Sequence, residues 1–332
     1  MTHGIESSND KLVFFVGVNT GLVTDGVPDQ RFIEFYRARS SPDLHCAIVG
    51  NVVVPGGHGS NSSTPSIRED SVWARIADAM RFAGSLPGIQ LASAWAGYHG
   101  AKKFLSVDGN QVIARARELS ASLSPSDLDR IIDAFATGAA MAVEYGYGHV
   151  QVHAAHGYLL SLLVDDRINP AADRVLERLS KIAEWLKSRG VESSIRISMK
   201  TGEPSFDREG ATEFHRTVSA LPFDFIDLSS GFYNIDKRLI YPSRPDFVEQ
   251  RLLDSVEIAL RHPERNFIIS GRMLDRGDRL PHNAHLGVCR DLIANPGALN
   301  DPSNGCQNHG KCHYYSRGKP HVTCKRWAEL LN

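Results

Sequence analysis

The sequence predicts an α/β fold, a single (β/α)8 TIM barrel, and three observations carry that expectation. Eight short runs rich in Val, Ile, Leu and Phe recur along the 332 residues, most of them followed by a segment of helical periodicity. Strands alternating with helices imply a parallel sheet, and eight such units favour closure into a barrel over an open doubly wound sheet. In the middle runs the polar residues share one parity. His149, Gln151 and His153 oppose Val150 and Val152; Ser194, Arg196 and Ser198 oppose Ile195 and Ile197; Asp227 opposes Ile226 and Leu228. Alternate strand residues face opposite sides, and polar groups on one face of several strands are costly in a plain core. They predict a shared mouth, which in a barrel is where chemistry takes place.

Taken in order, the strands are read at 12–18, 47–54, 88–94, 149–154, 194–200, 224–230, 266–270 and 285–290. Helices are expected at 29–38, 71–84, 125–145, 172–189, 207–220 and 245–262. The third begins well, with Ser124 to cap it, Pro125 at the first helical position and Asp127 in the first turn. The stretch 272–283 holds Gly277 and Pro281 and makes a poor helix. Two segments exceed what a barrel requires: a polar loop from Trp95 to Ser124 after the third strand, expected to cover an active site, and a tail after Asn300.

Composition narrows the function. At 42% hydrophobic and 23% charged residues the chain can bury a real core, which excludes disorder. Lys and Arg total 37 against 38 Asp and Glu, so no global basic field exists to hold nucleic acid or an anionic membrane, and a small-molecule substrate is expected. No run approaches the ~18 to 20 apolar residues of a bilayer span, and the opening MTHGIESSNDK lacks the apolar core of a signal peptide. A cytoplasmic protein is expected; a homo-oligomer is compatible with the sequence, which does not fix the state.

The most specific string is HAAHGYLLSLL, from His153 to Leu163, at the end of the fourth strand. Two imidazoles three residues apart can donate to a carbonyl oxygen, and the phenol of Tyr158 can deliver a proton to a nearby carbon. A hydrogen-bonded structural pair of histidines is the alternative reading. Zinc held by these two alone lacks a third ligand.

By this string the chain resembles the old yellow enzyme family of flavin-dependent ene reductases, over roughly residues 11–300. The resemblance implies FMN as cofactor and NAD(P)H as reductant. It implies that His153 and His156 hold the oxygen of an electron-poor alkene and that Tyr158 donates the proton. It places Gln90, in GIQLA, at the flavin pyrimidine edge and Arg196, in IRIS, beside N1 and O2. It sets Gly271, in ISGR, and Arg290, in VCRDLIANP, at the FMN phosphate. An internal ion pair with Asp227 is the plain alternative for Arg196, and a satisfied core amide the plain alternative for Gln90. The first strand departs from the family in reading VGVNTG, where Asn19 or Thr20 is expected beside the flavin. Loop aromatics Trp95, Tyr98, Phe232 and Tyr233 either wall the substrate or pack the loops.

The tail spaces Cys306, His309, Cys312 and Cys324 as C-x2-H-x2-C-x11-C. This is similar to the 4Fe-4S motif of the dienoyl-CoA reductase and trimethylamine dehydrogenase branch, with one cysteine replaced by histidine. Zinc, or no metal, fits the same residues. The expected organisation is therefore an FMN-binding barrel over 1–300 and a Cys/His tail over 301–332 packed on it. The expected reaction is hydride transfer from NAD(P)H through the flavin to an α,β-unsaturated carbonyl. Its alternatives are the reverse reaction, as a desaturase or amine dehydrogenase, a flavin-free aldolase or isomerase, and a non-catalytic binding protein.

Overall fold

The structure is a computed structural model that describes residues 11–105 and 108–329; residues 1–10, read above for a leader, lie outside it, as do the last three of the tail. Eight parallel strands close into a barrel: β1 (Val13–Phe15), β2 (Cys46–Val53), β3 (Leu86–Ala92), β4 (His149–Ala154), β5 (Glu192–Ser198), β6 (Phe225–Ser229), β7 (Asn266–Ser270) and β8 (Ala284–Val288). Each strand pairs with the next, and β1 pairs with β2 on one side and β8 on the other, so no edge is left open.

The parity expected from sequence is the parity observed. Val150, Val152, Ile195, Ile197, Ile226 and Leu228 face outward into a core shared with the surrounding helices. That core holds Phe135, Ala139 and Ala142 from the helix Pro125–Glu144, which begins in the capping box expected of Ser124 and Asp127. Such a cap contributes about 1 kcal/mol. Inside the barrel an apolar plug of Phe14, Cys46, Ile48, Phe225 and Ile268 fills the end from which the strands start. Above it the interior turns polar.

The segment after β3 corrects the sequence reading. The expected loop contains a 13-residue helix, Gly109–Ala121, capped by Asp108. Its buried face is only Ile113, Ala116 and Ser120, too sparse a stripe to stand out among polar residues. Ile113 and Ala116 pack on Leu162, Phe206, Phe232 and Ile235, so this helix roofs loops at the end where the strands finish. The stretch 272–283 forms just a 3-10 turn, Gly277–Arg279, as its Gly and Pro require. The tail is tied to the barrel at several points: Val322 N donates to Thr20 O at 2.7 Å, Trp327 Nε1 to Ile293 O at 2.7 Å, and Cys306 N to Asp291 Oδ1 at 2.9 Å. No helix among the described residues is long and apolar enough to cross a membrane.

Candidate functional site

The register of the barrel places its polar residues side by side. Gln90 pairs with Gln151 and Gln151 with Ser194, while His153 pairs with Arg196 and Arg196 with Asp227. Inward-facing neighbours in register bond laterally. Gln90 Nε2 donates to Gln151 Oε1 at 2.6 Å, and Gln151 Nε2 donates to Ser194 Oγ at 3.0 Å and Asp227 Oδ2 at 3.1 Å. Arg196 donates to Asp227 Oδ2 at 2.7 Å and to Ser229 Oγ at 3.4 Å. The internal ion pair and the satisfied amide weighed from sequence are therefore both present. Neither removes its residue from the mouth, because Gln90 and Arg196 still line the cavity there and Arg196 Nε is buried without a partner. Burial raises the Asp227 carboxyl, an effect that Arg196 opposes.

Above this layer stand the two imidazoles. Burial, then the charge of Arg196, holds His153 well below the usual imidazole range, and burial with His153, Arg196 and Arg251 does the same for His156. Both rings are neutral at physiological pH, each with one N–H to donate. His153 Nδ1 is buried with no partner among the described residues. His156 Nε2 meets Ser229 Oγ at 2.6 Å. Ser229 Oγ also accepts from Arg196, and its hydroxyl can either donate to Nε2 or accept from it, according to the tautomer. Backbone geometry supports the pair: Gly157, at φ +75, has the Phe232 ring 3.0 Å from where a Cβ would sit, so the turn tolerates no side chain. Tyr158 then caps the short helix Leu159–Leu163, with its ring 5.2 Å from His153 and stacked on Tyr233 at 5.3 Å. Burial, with Tyr233 and Tyr98 adding, pushes its hydroxyl well above the usual phenol value, opposed by a bond to Ser60.

One cavity gathers these groups, with about 1300 Å³ of empty space counting its open mouth. Gln90, His153, His156, Tyr158, Arg196, Gly271, Arg290, Asn19, Tyr98 and Tyr233 all line it. Phe232 and Trp95 instead pack the loops, Phe232 in the roof and Trp95 edge-on to Tyr98 at 4.7 Å. Lys200, just past the end of β5, is paired with Asp254 at 2.5 Å. Sequence reasoning missed Asn51 in β2, and Ser60, Lys237, Tyr241, Arg272 and Tyr314, which come from segments that follow the strands and from the tail. Only Arg272 carried a signal, as the residue after Gly271.

Two guanidinium groups stand where β7 and β8 end. Gly271, at φ +113, packs against Pro242 and Arg251, a conformation that L side chains rarely adopt. Arg272 follows, its Nη2 donating to Cys306 O at 3.3 Å and its Nη1 buried without a partner. Arg290 is already engaged by Pro242 O, by Ser243 Oγ at 3.3 Å and by Asn308 Oδ1 at 3.4 Å. Asp291 lies at the same end and accepts from Cys306 N.

The expected metal centre is not shown. Among the described residues no three His, Cys, Asp or Glu side chains group as a metal site. Cys306, Cys312 and Cys324 are free thiols, and His309 Nε2 meets Gln307 Oε1 at 3.3 Å rather than a cysteine. Cys312 faces the cavity, where burial pushes its thiol up to about 11.

Residues 19–177 match the model of the NADH:flavin oxidoreductase / NADH oxidase family. The chain is 25% identical over 63% of its length to NADH-dependent flavin oxidoreductase nadA of Aspergillus parasiticus, covering 52% of that protein. It is 27% identical over 51% of its length to 12-oxophytodienoate reductase 7 of Oryza sativa, covering 48% of it. The chain thus spans about half the length of these relatives. In structure it resembles old yellow enzyme from Pichia sp. AKU4542 with a TM-score of 0.63 at 15% identity, over 87% of this chain and 81% of that one. The barrel shares its fold with old yellow enzyme, and residues 19–177 are similar in sequence to NADH:flavin oxidoreductases.

Proposed function

We propose that this old yellow enzyme-like barrel is an FMN-dependent oxidoreductase that takes hydride from NAD(P)H and passes it to an activated alkene conjugated to a carbonyl. The single observation that carries the reading is the pair of buried, neutral imidazoles in the same cavity as Arg196 and Tyr158, with His153 Nδ1 unpaired. A buried polar nitrogen without a partner costs about 1–3 kcal/mol, so a site that keeps one open is built for a hydrogen-bonding group that arrives.

The donor set fits FMN. Arg196 and Gln90 offer a cation and an amide to a heterocycle edge, and Arg196 Nε is buried and unpaired. Arg272 and Arg290 offer guanidinium to a phosphate, Gly271 brings backbone close to it, and Arg272 Nη1 is still free. When bound, the flavin supplies the carriage of hydride from a nicotinamide to an electron-poor carbon. Every other task falls to the chain. His153 and His156, each a neutral imidazole with one N–H, orient the substrate carbonyl and stabilise negative charge developing on its oxygen. Arg196, fixed by Asp227, keeps positive charge beside the ring system. Tyr158 holds a proton on a phenol of raised pKa, protonated at any working pH, and releases it to the carbon that gains electrons. The walls of Tyr98, Tyr233 and Tyr241 keep water from competing. Dehydrogenation in the opposite sense would use the same groups in reverse.

The test is spectral and kinetic. Purified protein is expected to absorb in the flavin bands and to consume NADH or NADPH when 2-cyclohexenone is added. Protein that binds no flavin, or that loses nothing when both histidines are replaced by leucine, would overturn the reading.

A further inference from the structure

Three separated segments converge on one amine. Lys237, in the loop after β6, is 2% exposed although it is a lysine. Its Nζ donates to Ala101 O, in the segment after β3, and to Ser316 Oγ of the tail at 3.1 Å. An ammonium has three hydrogens, so one is unspent. No carboxylate pairs with it among the described residues. The adjacent Asp236 is taken by Arg238, at 2.9 and 2.7 Å through its two oxygens. Burial draws the amine down to about 8, with no acidic neighbour opposing the fall. The rings of Phe104 and Tyr233, each centred 5.8 Å away, give it weak cation–π support only.

This cation lines the same cavity as the imidazoles. One ring stands between them: Tyr233 is 5.6 Å from His156 and 5.3 Å from Tyr158. Tying two loops together needs only a neutral donor, so the latch does not account for a charge buried at this cost. A cation without a counter-charge on a substrate wall is explained by an anion that comes with the substrate.

We propose that Lys237 is a specificity-determining residue that pairs with a carboxylate on the alkene substrate, so that anionic enones are the preferred class. The inference rests on the alkene-reducing reading given above. The imidazole pair would hold the carbonyl end of such a molecule and the ammonium its acid end, with the Tyr233 ring along the span.

The flavin-loaded protein tests it with a cyclohexenone bearing a propanoate side chain and the methyl ester of the same compound. The wild type is expected to prefer the acid in kcat/KM. Lys237→Met is expected to cut the acid-to-ester ratio by about 10- to 100-fold, mainly through KM of the acid, while Lys237→Arg restores most of it. Calorimetric binding of the saturated keto-acid and its ester is expected to show the same preference and the same loss. This arm reads anion binding even if no alkene is reduced, so failure of turnover alone would sink the reading of the reaction and leave the anchor standing. A wild type that does not favour the acid in either arm overturns the proposal. So does an unchanged ratio in Lys237→Met, or a rise confined to the KM of NAD(P)H, which would give the ammonium to a dinucleotide phosphate. Borohydride trapping of the keto-acid on Lys237 would also overturn it, by showing a covalent role.

Discussion

His149 and His153 share a strand, a parity and near-total burial, at 0% and 3% exposure, yet they have opposite surroundings. His149, near the start of β4, bonds Ser194 Oγ at 2.8 Å through Nε2 and Glu192 at 3.2 Å through Nδ1, and Glu192 also bonds His45 at 2.9 Å. His153, two pleat repeats further up, has an Nδ1 with no partner among the described residues. The first imidazole completes the barrel's closed end, whereas the second is left wanting at the open end. Burial does not distinguish a structural histidine from a working one; unmet hydrogen-bonding capacity does.

The comparison can be broken or sharpened by substitution. The largest effect is expected from Arg196→Leu, which strands Asp227 in the interior. It should cost about 3–5 kcal/mol in denaturant unfolding and abolish flavin retention on gel filtration. At the open end, His153→Leu or His156→Leu should lower kcat for enone reduction by about 100- to 1000-fold, with thermal stability held or improved in the His153 variant. At the closed end, His149→Leu should do the reverse, leaving kcat alone and costing about 1–3 kcal/mol as Glu192 and Ser194 lose a partner. Equal effects of the two strand-four histidines on kcat would erase the distinction.

A smaller effect concerns pH. Burial works to raise the Glu192 carboxyl, but bonds from His149 and His45 prevail and hold it down at about 2. A carboxyl depressed by folding stabilises the protein above its unfolded value of about 4.5 and ceases to do so as the pH falls through the folded one. The stability gap between wild type and Glu192→Gln should therefore be full at pH 6 and narrow between about pH 4.5 and 2, as followed by urea midpoints. At the open end no comparable dependence is expected from pH 6 to 8, since His153 and His156 are held neutral across that range.

Much of this was legible in the sequence. Most strand and helix limits were readable to within a few residues, because period-2 and period-3.6 patterns alternate cleanly and Ser124 and Asp127 mark a helix start; the helix expected at 207–220 instead breaks at Gly210, φ +65, into Pro204–Arg208 and Ala211–Ser219. The inward ladder of Gln151, His153, Arg196 and Asp227 followed from parity alone. What escaped was of two kinds. The helix Gly109–Ala121 buries too little to leave a pattern. Lys237, Tyr241 and Tyr314 reach the cavity only because distant segments meet there, and nothing local to those residues announces it. The tail cysteines show the converse, a spacing that suggested a metal site but is not grouped as one in space.

The contribution of residues 314–316 to the cavity wall has a consequence for how the protein is made. On the ribosome, every strand of the barrel emerges before Tyr314, Tyr315 and Ser316 do, so for a time the nascent barrel has a finished floor and an unfinished side. During that interval the cavity is more open than in the finished fold, and the arrival of the last segment narrows it.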